Sequence, residues 1–215
     1  MIILEIIFFL IASGTILLSL AGYGQFLINR IQSNFFVNIF FGFIVITFLI
    51  TITHFFIKIN FYVGLVILLL GLFLFVKDFN INCLKFLKKN YLYLILFLIL
   101  MPILISQKYH EDFGYYHLPY VISMIENKII FGLANSNIAF SHNSIWLNTI
   151  SIFSLPNNNF NFLTLPVFLI YFTFIIFSLK KIFVSTKKIP STYFLIIFLF
   201  YFILKFTRIS EYGND

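Results

Sequence analysis

Of 215 residues, 61% are hydrophobic and 10% are charged, far below the roughly 25% charge that keeps a soluble domain wetted, so a water-soluble globular protein is excluded. The net charge of +7 does not point to nucleic acid, because lysines grouped between apolar runs are what orients a polytopic membrane protein. Cys83 is the single cysteine, which excludes an intrachain disulfide and leaves no redox or metal motif.

Composition is biased toward Phe, Ile, Leu, Asn, Lys and Tyr. That bias fits an AT-rich coding sequence, so the abundance of Phe and Asn is not read as function. The start, "MIILEIIFFL", has no basic n-region and carries Glu5. No cleavable signal peptide is therefore expected, and Glu5 reads as a solvated carboxylate at a helix end.

A spanning helix needs about 20 mostly apolar residues. Six segments approach this: Ile2–Ala21, Phe35–Ile57, Phe61–Val76, Tyr91–Ser106, Phe162–Leu179 and Tyr193–Phe206. The expected fold class is all-α, a polytopic membrane protein of about six transmembrane helices. The third, fourth and sixth segments are short, and flanking Tyr and Lys extend them by snorkelling. Gly64 and Gly71 in the third offer close helix contact, in a pattern weaker than GxxxG.

Lysines set the orientation. "KDFNINCLKFLKK" (Lys77 to Lys89) holds four Lys and one Asp, and "KKIFVSTKK" (Lys180 to Lys188) holds four Lys and no acid. Both are expected on the cytoplasmic side. Two spans separate them, so the assignments agree. Gln107 to Asn161 and the C-terminal "RISEYGND" then lie outside, as does the N-terminus.

The outside segment between the fourth and fifth spans is too long for a simple connector. In "PYVISMIENKIIFG", Leu118, Val121, Ile122, Ile125 and Ile129 share one helical face, with Ser123 and Asn127 opposite and Glu126 at the border. Pro119 suits the first turn and Gly132 the stop, which predicts an amphipathic helix on the membrane surface. A second is expected in "NSIWLNTISIFSLP". Asn143 or Ser144 can cap it, Trp146, Ile150 and Phe153 share a face, and Pro156 ends it. Trp146, the sole tryptophan, fits an interfacial anchor.

Before these helices stands "HEDFGYYHLP", His110 to Pro119, with adjacent carboxylates Glu111 and Asp112 at the outer mouth of the fourth span. Two carboxylates there are costly if buried unpaired, and Gly114 lets the backbone turn after them. The plainer reading is a solvated loop whose acids pair with Lys108. His110 and His117 make no zinc site, since neither HExxH nor a second ligand cluster accompanies them.

The order of these features resembles the first extracytoplasmic loop of GT-C glycosyltransferases. More closely, "HEDFGYYHLP", "FGLAN" and "NSIW" resemble a group of bacterial polytopic proteins with GT-C-like character, in which an acid precedes Y-H-L-P and is followed by G-L-A-N and N-S-x-W. The resemblance covers Tyr91 to Asp215. It implies residence in the bacterial inner membrane and divides the chain into residues 1–90, an N-terminal addition of three spans, and residues 91–215, the start of a GT-C-like core. GT-C enzymes also carry acids in the second outside loop, where this chain has Glu211 and Asp215. Those enzymes are longer, with further spans, so the expectation is an N-terminal part or truncated product.

What the resemblance implies chemically is transfer of a sugar from a polyprenyl-phosphate-linked donor to an envelope acceptor. Asp112 is then the preferred general base, with Glu111 the alternative. His110 and His117 orient sugar or phosphate, and Lys205 or Arg208 meets the departing phosphate. Glu211 and Asp215 complete the substrate-binding set. A divalent cation, Mg or Mn, stays open: carboxylates of both loops could share one, whereas many lipid-phosphate donors need none. The expected partners are membrane lipid and the lipid-linked donor, with no nucleic acid. The competing reading is a non-enzymatic scaffold or transporter subunit of an envelope-polysaccharide assembly system. Transporters bury ionisable groups at mid-membrane, and these spans hold almost none, His54 lying at a helix end.

Overall fold

The structure is a computed structural model that describes residues 2–28, 35–77, 95–100, 108–109, 112–136, 138–141, 144–153, 163–184, 190–205 and 211–212. Among the described residues the regular structure is helical, save for one pair of two-residue strands. Three long helices come first or near the middle: α1 (Ile2–Ile28), α2 (Phe35–Phe56) and, later, α7 (Leu165–Val184). Each is long and apolar enough to cross a membrane. Two shorter apolar helices, α3 (Phe61–Lys77) and α8 (Pro190–Leu204), reach only about 22–26 Å at 1.5 Å per residue. Of the expected fourth span, Tyr91–Ser106, only 95–100 is described, and it is helical.

α1 runs seven residues past the expected end at Ala21, through Gly22, Tyr23 and Gly24. Glycine is a poor helix former in isolation, but here it removes the side chain from a contact between backbones. A Cβ on Gly22 would fall on the carbonyl oxygen of Gly71 in α3. One on Gly24 would fall on the Asn38 carbonyl, and one on Gly42 on the Leu20 carbonyl. Small residues thus let α1 lie between α2 and α3 at backbone contact, the packing that helices in lipid use where hydrophobic burial does not drive association. The Tyr23 hydroxyl ties the layer by donating to the Ile67 carbonyl at 2.6 Å.

α7 packs against α2 and, more lightly, α1. Its Phe168 and Phe172 hold Phe97 of the 95–100 helix between them, at ring separations of 5.4 and 5.0 Å in edge-to-face geometry. On its other side, Phe174 stacks on Phe202 of α8 at 4.5 Å. Most of α8 is exposed, with Leu199 its one buried residue. Hydrocarbon all round and bare outside is what a lipid-facing helix looks like.

The described residues between 108 and 163 include a set of short elements that lie over one end of this bundle. Strand β1 (Lys108–Tyr109) leads to a π-helical turn, Phe113–His117. Helix α4 (Leu118–Glu126), the short α5 (Leu133–Ser136), a 3-10 turn (Ile138–Ser141) and α6 (Ile145–Ser151) follow. α4 is shorter than expected. It stops at Glu126, and Gly132 lies beyond it in a separate turn with φ +80°. Its buried face is Tyr120, Val121 and Met124, displaced from the predicted stripe. These residues join Leu147, Ile150 and Leu163 in a second hydrophobic core, with Phe113 and Trp146 packed around it. α6 begins where expected, Ser144 accepting a hydrogen bond from the Leu147 amide at 3.3 Å, the N-cap arrangement. From Leu147 to Phe153 it is buried on every side, so it is a core helix. Trp146 packs against that core.

The end that this segment covers is fixed by backbone bonds. The Ile59 amide, between α2 and α3, donates to the Met124 carbonyl at 2.9 Å, and the Ile129 amide donates to the His54 carbonyl at 3.1 Å. A Cβ on Gly64 of α3 would press on Ile152. α3 and α7 therefore both start at this end and run away from it. Their far ends carry Lys77 and Lys181.

Candidate functional site

Lysine 108 and Glu211 are partners in a parallel strand pair, β1 with β2 (Glu211–Tyr212), and Tyr109 partners Tyr212. Parallel pairing means that the chain runs in the same direction through both strands. Asp112 lies four residues past Lys108. A chain spans at most about 3.6 Å per residue and paired strands lie about 4.8 Å apart. The Asp112 and Glu211 α-carbons are thus held within about 20 Å.

Asp112 caps the π-helical turn. Its carbonyl accepts from the amides of Tyr115, Tyr116 and His117 at 3.2, 3.1 and 3.4 Å. The bond from the His117 amide, five residues on, is the one that defines a π-turn, and such turns are frequent at functional sites. Gly114 sits at the outside of the turn with nothing within 4 Å of a Cβ placed there. His117 is 0% exposed and packs on Tyr116 with ring centroids 4.0 Å apart. It lies inside the protein under the start of α4. Lys205 is exposed at the end of α8, its amide bonded to the Tyr201 carbonyl at 3.1 Å.

The strand pair thus brings the chain around Asp112 and that around Glu211 to one place. His110, Glu111, Arg208 and Asp215 lie outside the described residues. Among the described residues no three His, Cys, Asp or Glu side chains gather as a metal site.

A second polar locus, not singled out by the sequence, lies at the same end. His54 is in the last turn of α2, as expected. It is buried, and its Nε2 lies 3.3 Å from the Asn127 carbonyl, the geometry of a ring N–H donating to it. Two turns earlier in α2, the Thr47 hydroxyl lies 3.0 Å from the Thr149 hydroxyl of α6. Asn148 and Tyr120 border the same region, and burial pushes the Tyr120 phenol above its ordinary value, so it stays protonated at neutral pH. Nothing in hydropathy marks these positions, because the polar groups sit singly inside apolar helices. The one available signal was a Thr-x-Thr-His run at the end of the second span.

A family model described as a domain of unknown function, DUF8201, matches residues 1–213. No curated protein and no solved structure matches the chain.

Proposed function

We propose, for a chain that belongs to the DUF8201 family, the function of a membrane glycosyltransferase, or part of one, with GT-C-like architecture and about six spans. It would use a polyprenyl-phosphate-linked sugar at the outer face of the bacterial inner membrane. The observation that supports this best is the parallel pairing of Lys108–Tyr109 with Glu211–Tyr212, which sets the two acid-bearing segments side by side.

In the reaction, an acceptor hydroxyl oxygen attacks the anomeric carbon of the donor sugar. The bond from that carbon to the phosphate oxygen breaks, and polyprenyl phosphate leaves with the electron pair. Asp112, with Glu111 as the alternative, takes the hydroxyl proton. Lys205 and Arg208 face the charge that grows on the leaving phosphate. His110, Glu211 and Asp215 hold sugar hydroxyls or share a divalent cation, and buried His117 stiffens the turn that carries Asp112.

The test is sugar transfer from a polyprenyl-phosphate hexose by the protein in liposomes. Asp112→Asn keeps shape and hydrogen bonding but cannot accept a proton, and loss of a general base costs about 10²–10⁴ in rate. Glu126→Gln, on exposed surface of α4, should cost little. Transfer by Asp112→Asn at the wild-type rate would exclude Asp112 as the base. Absence of transfer by the wild type with every donor offered would favour the scaffold reading.

A further inference from the structure

At the end of α2, beneath the turns that follow α4, lies a cavity of about 490 Å³. We infer that this cavity is a binding site for a polyol phosphate, either a free sugar phosphate or the headgroup of a lipid. It is formed by residues other than Asp112 and Glu211, and the inference does not depend on the transfer reaction.

The volume falls in the range of small-molecule sites, which combine apolar walls with a few placed polar groups. The aromatic wall is Tyr120 and Phe140, with ring centroids 5.9 Å apart and planes tilted by 35°. Flat rings of this kind cover the C–H face of a sugar. The uncharged polar residues of the lining include Ser123, Ser141, His54 and Asn148. His54 is held in place by its bond to the Asn127 carbonyl. Asn148 is 7% exposed, and its side-chain oxygen has no hydrogen-bond partner among the described residues. A buried acceptor without a partner is costly, and a ligand hydroxyl in the cavity that Asn148 lines would satisfy it.

Charge decides the rest of the ligand. Among the described residues, Lys128 is the one with a formal charge that lines the cavity, and no acid does. Lys128 is exposed, and a positive charge bordering the cavity favours an anion and repels a cation. Phe131, 83% exposed, borders the same cavity. An aromatic ring beside a lysine at the end of a spanning helix is what the headgroup layer of a bilayer receives. Hydroxyls inside and one anionic group beside Lys128 describe a polyol phosphate.

Trp146 is the sole tryptophan and packs against the core that includes Tyr120, so its fluorescence reports on the cavity wall. The protein is placed in phosphatidylcholine nanodiscs and titrated with glucose 1-phosphate, and in a second arm phosphatidylinositol is added to the nanodiscs. A saturable change with the first identifies a free ligand, and with the second alone a lipid headgroup; either supports the site. Lys128→Ala, at an exposed position, should weaken binding at least about tenfold, and Ser123→Leu, which fills the cavity, should remove it while the melting temperature is retained. A flat response to both probes, or binding that both variants leave unchanged, would overturn the proposal. Turnover is not read, so this result and that of the transfer assay stand apart.

Discussion

Lys108 and Glu211 stand opposite each other in parallel strands, although one precedes the surface segment and the other follows the last described helix. Everything proposed about the site follows from that pairing, because it is what carries two distant acidic stretches to one place. Its consequences, and those of the packing that supports it, can be measured.

The glycine contacts give the sharpest stability test. Gly42→Ala puts a methyl group into the Leu20 carbonyl, an overpacking that costs about 1–3 kcal/mol. Gly14→Ala meets nothing within 4 Å and gains roughly 0.5–1 kcal/mol from helix propensity. Thermal melts in detergent should therefore move in opposite directions for the two variants. A similar response from both would mean that α1 and α2 are not at backbone contact.

Tyr23→Phe deletes the bond from α1 to the Ile67 carbonyl in α3 and removes little volume. The expected loss is about 1 kcal/mol, read as a lowered melting temperature. An unchanged melt would show that the hydroxyl is equally satisfied elsewhere.

Helix α6 rests on its cap. Ser144→Ala removes the acceptor for the Leu147 amide at a cost of about 1 kcal/mol, whereas Ser144→Asp should keep most of the stability. Equal losses in the two variants would argue against capping.

How far these features could be read in advance depended on the kind of force behind them. Long apolar runs announce helices through composition alone, so α2 starts and ends within a residue of expectation. α1 runs past the expected end at Ala21, where Gly22 and Gly24 gain their place in the helix only from close approach to the backbones of Gly71 and Asn38. The Ser144 cap was legible as local chemistry. The end of α4 was not, because Asn127 and Ile129 leave the helix to bond with His54, seventy-odd residues earlier in the chain. Two-residue strands have no alternation to detect, so nothing in the sequence marked the β1–β2 register. The cavity was equally hidden, since its polar residues come from three separate segments.

Orientation is tested by labelling. With Cys83 in the lysine-rich loop expected inside and Asn135 exposed on the surface segment, an impermeant thiol reagent should modify Asn135→Cys on intact cells and leave Cys83 unmodified until the membrane is opened. The reverse pattern would turn the protein over and place the acidic segments in the cytoplasm.

The most direct test of the central claim is a cross-link between the strands. In a Cys83→Ser background, Lys108→Cys with Glu211→Cys sets two thiols on partnered α-carbons, at a spacing of about 5 Å that lies within the 4.4–6.8 Å disulfide range. Thr47→Cys with Thr149→Cys, whose present hydroxyls are 3.0 Å apart, is the positive control. Mild oxidation should close both pairs, shifting the 108–211 variant to a faster-migrating species that reductant reverses. Closure of the control without closure of the 108–211 pair would mean that the two acid-bearing segments do not meet, and the proposed site would have no structural basis.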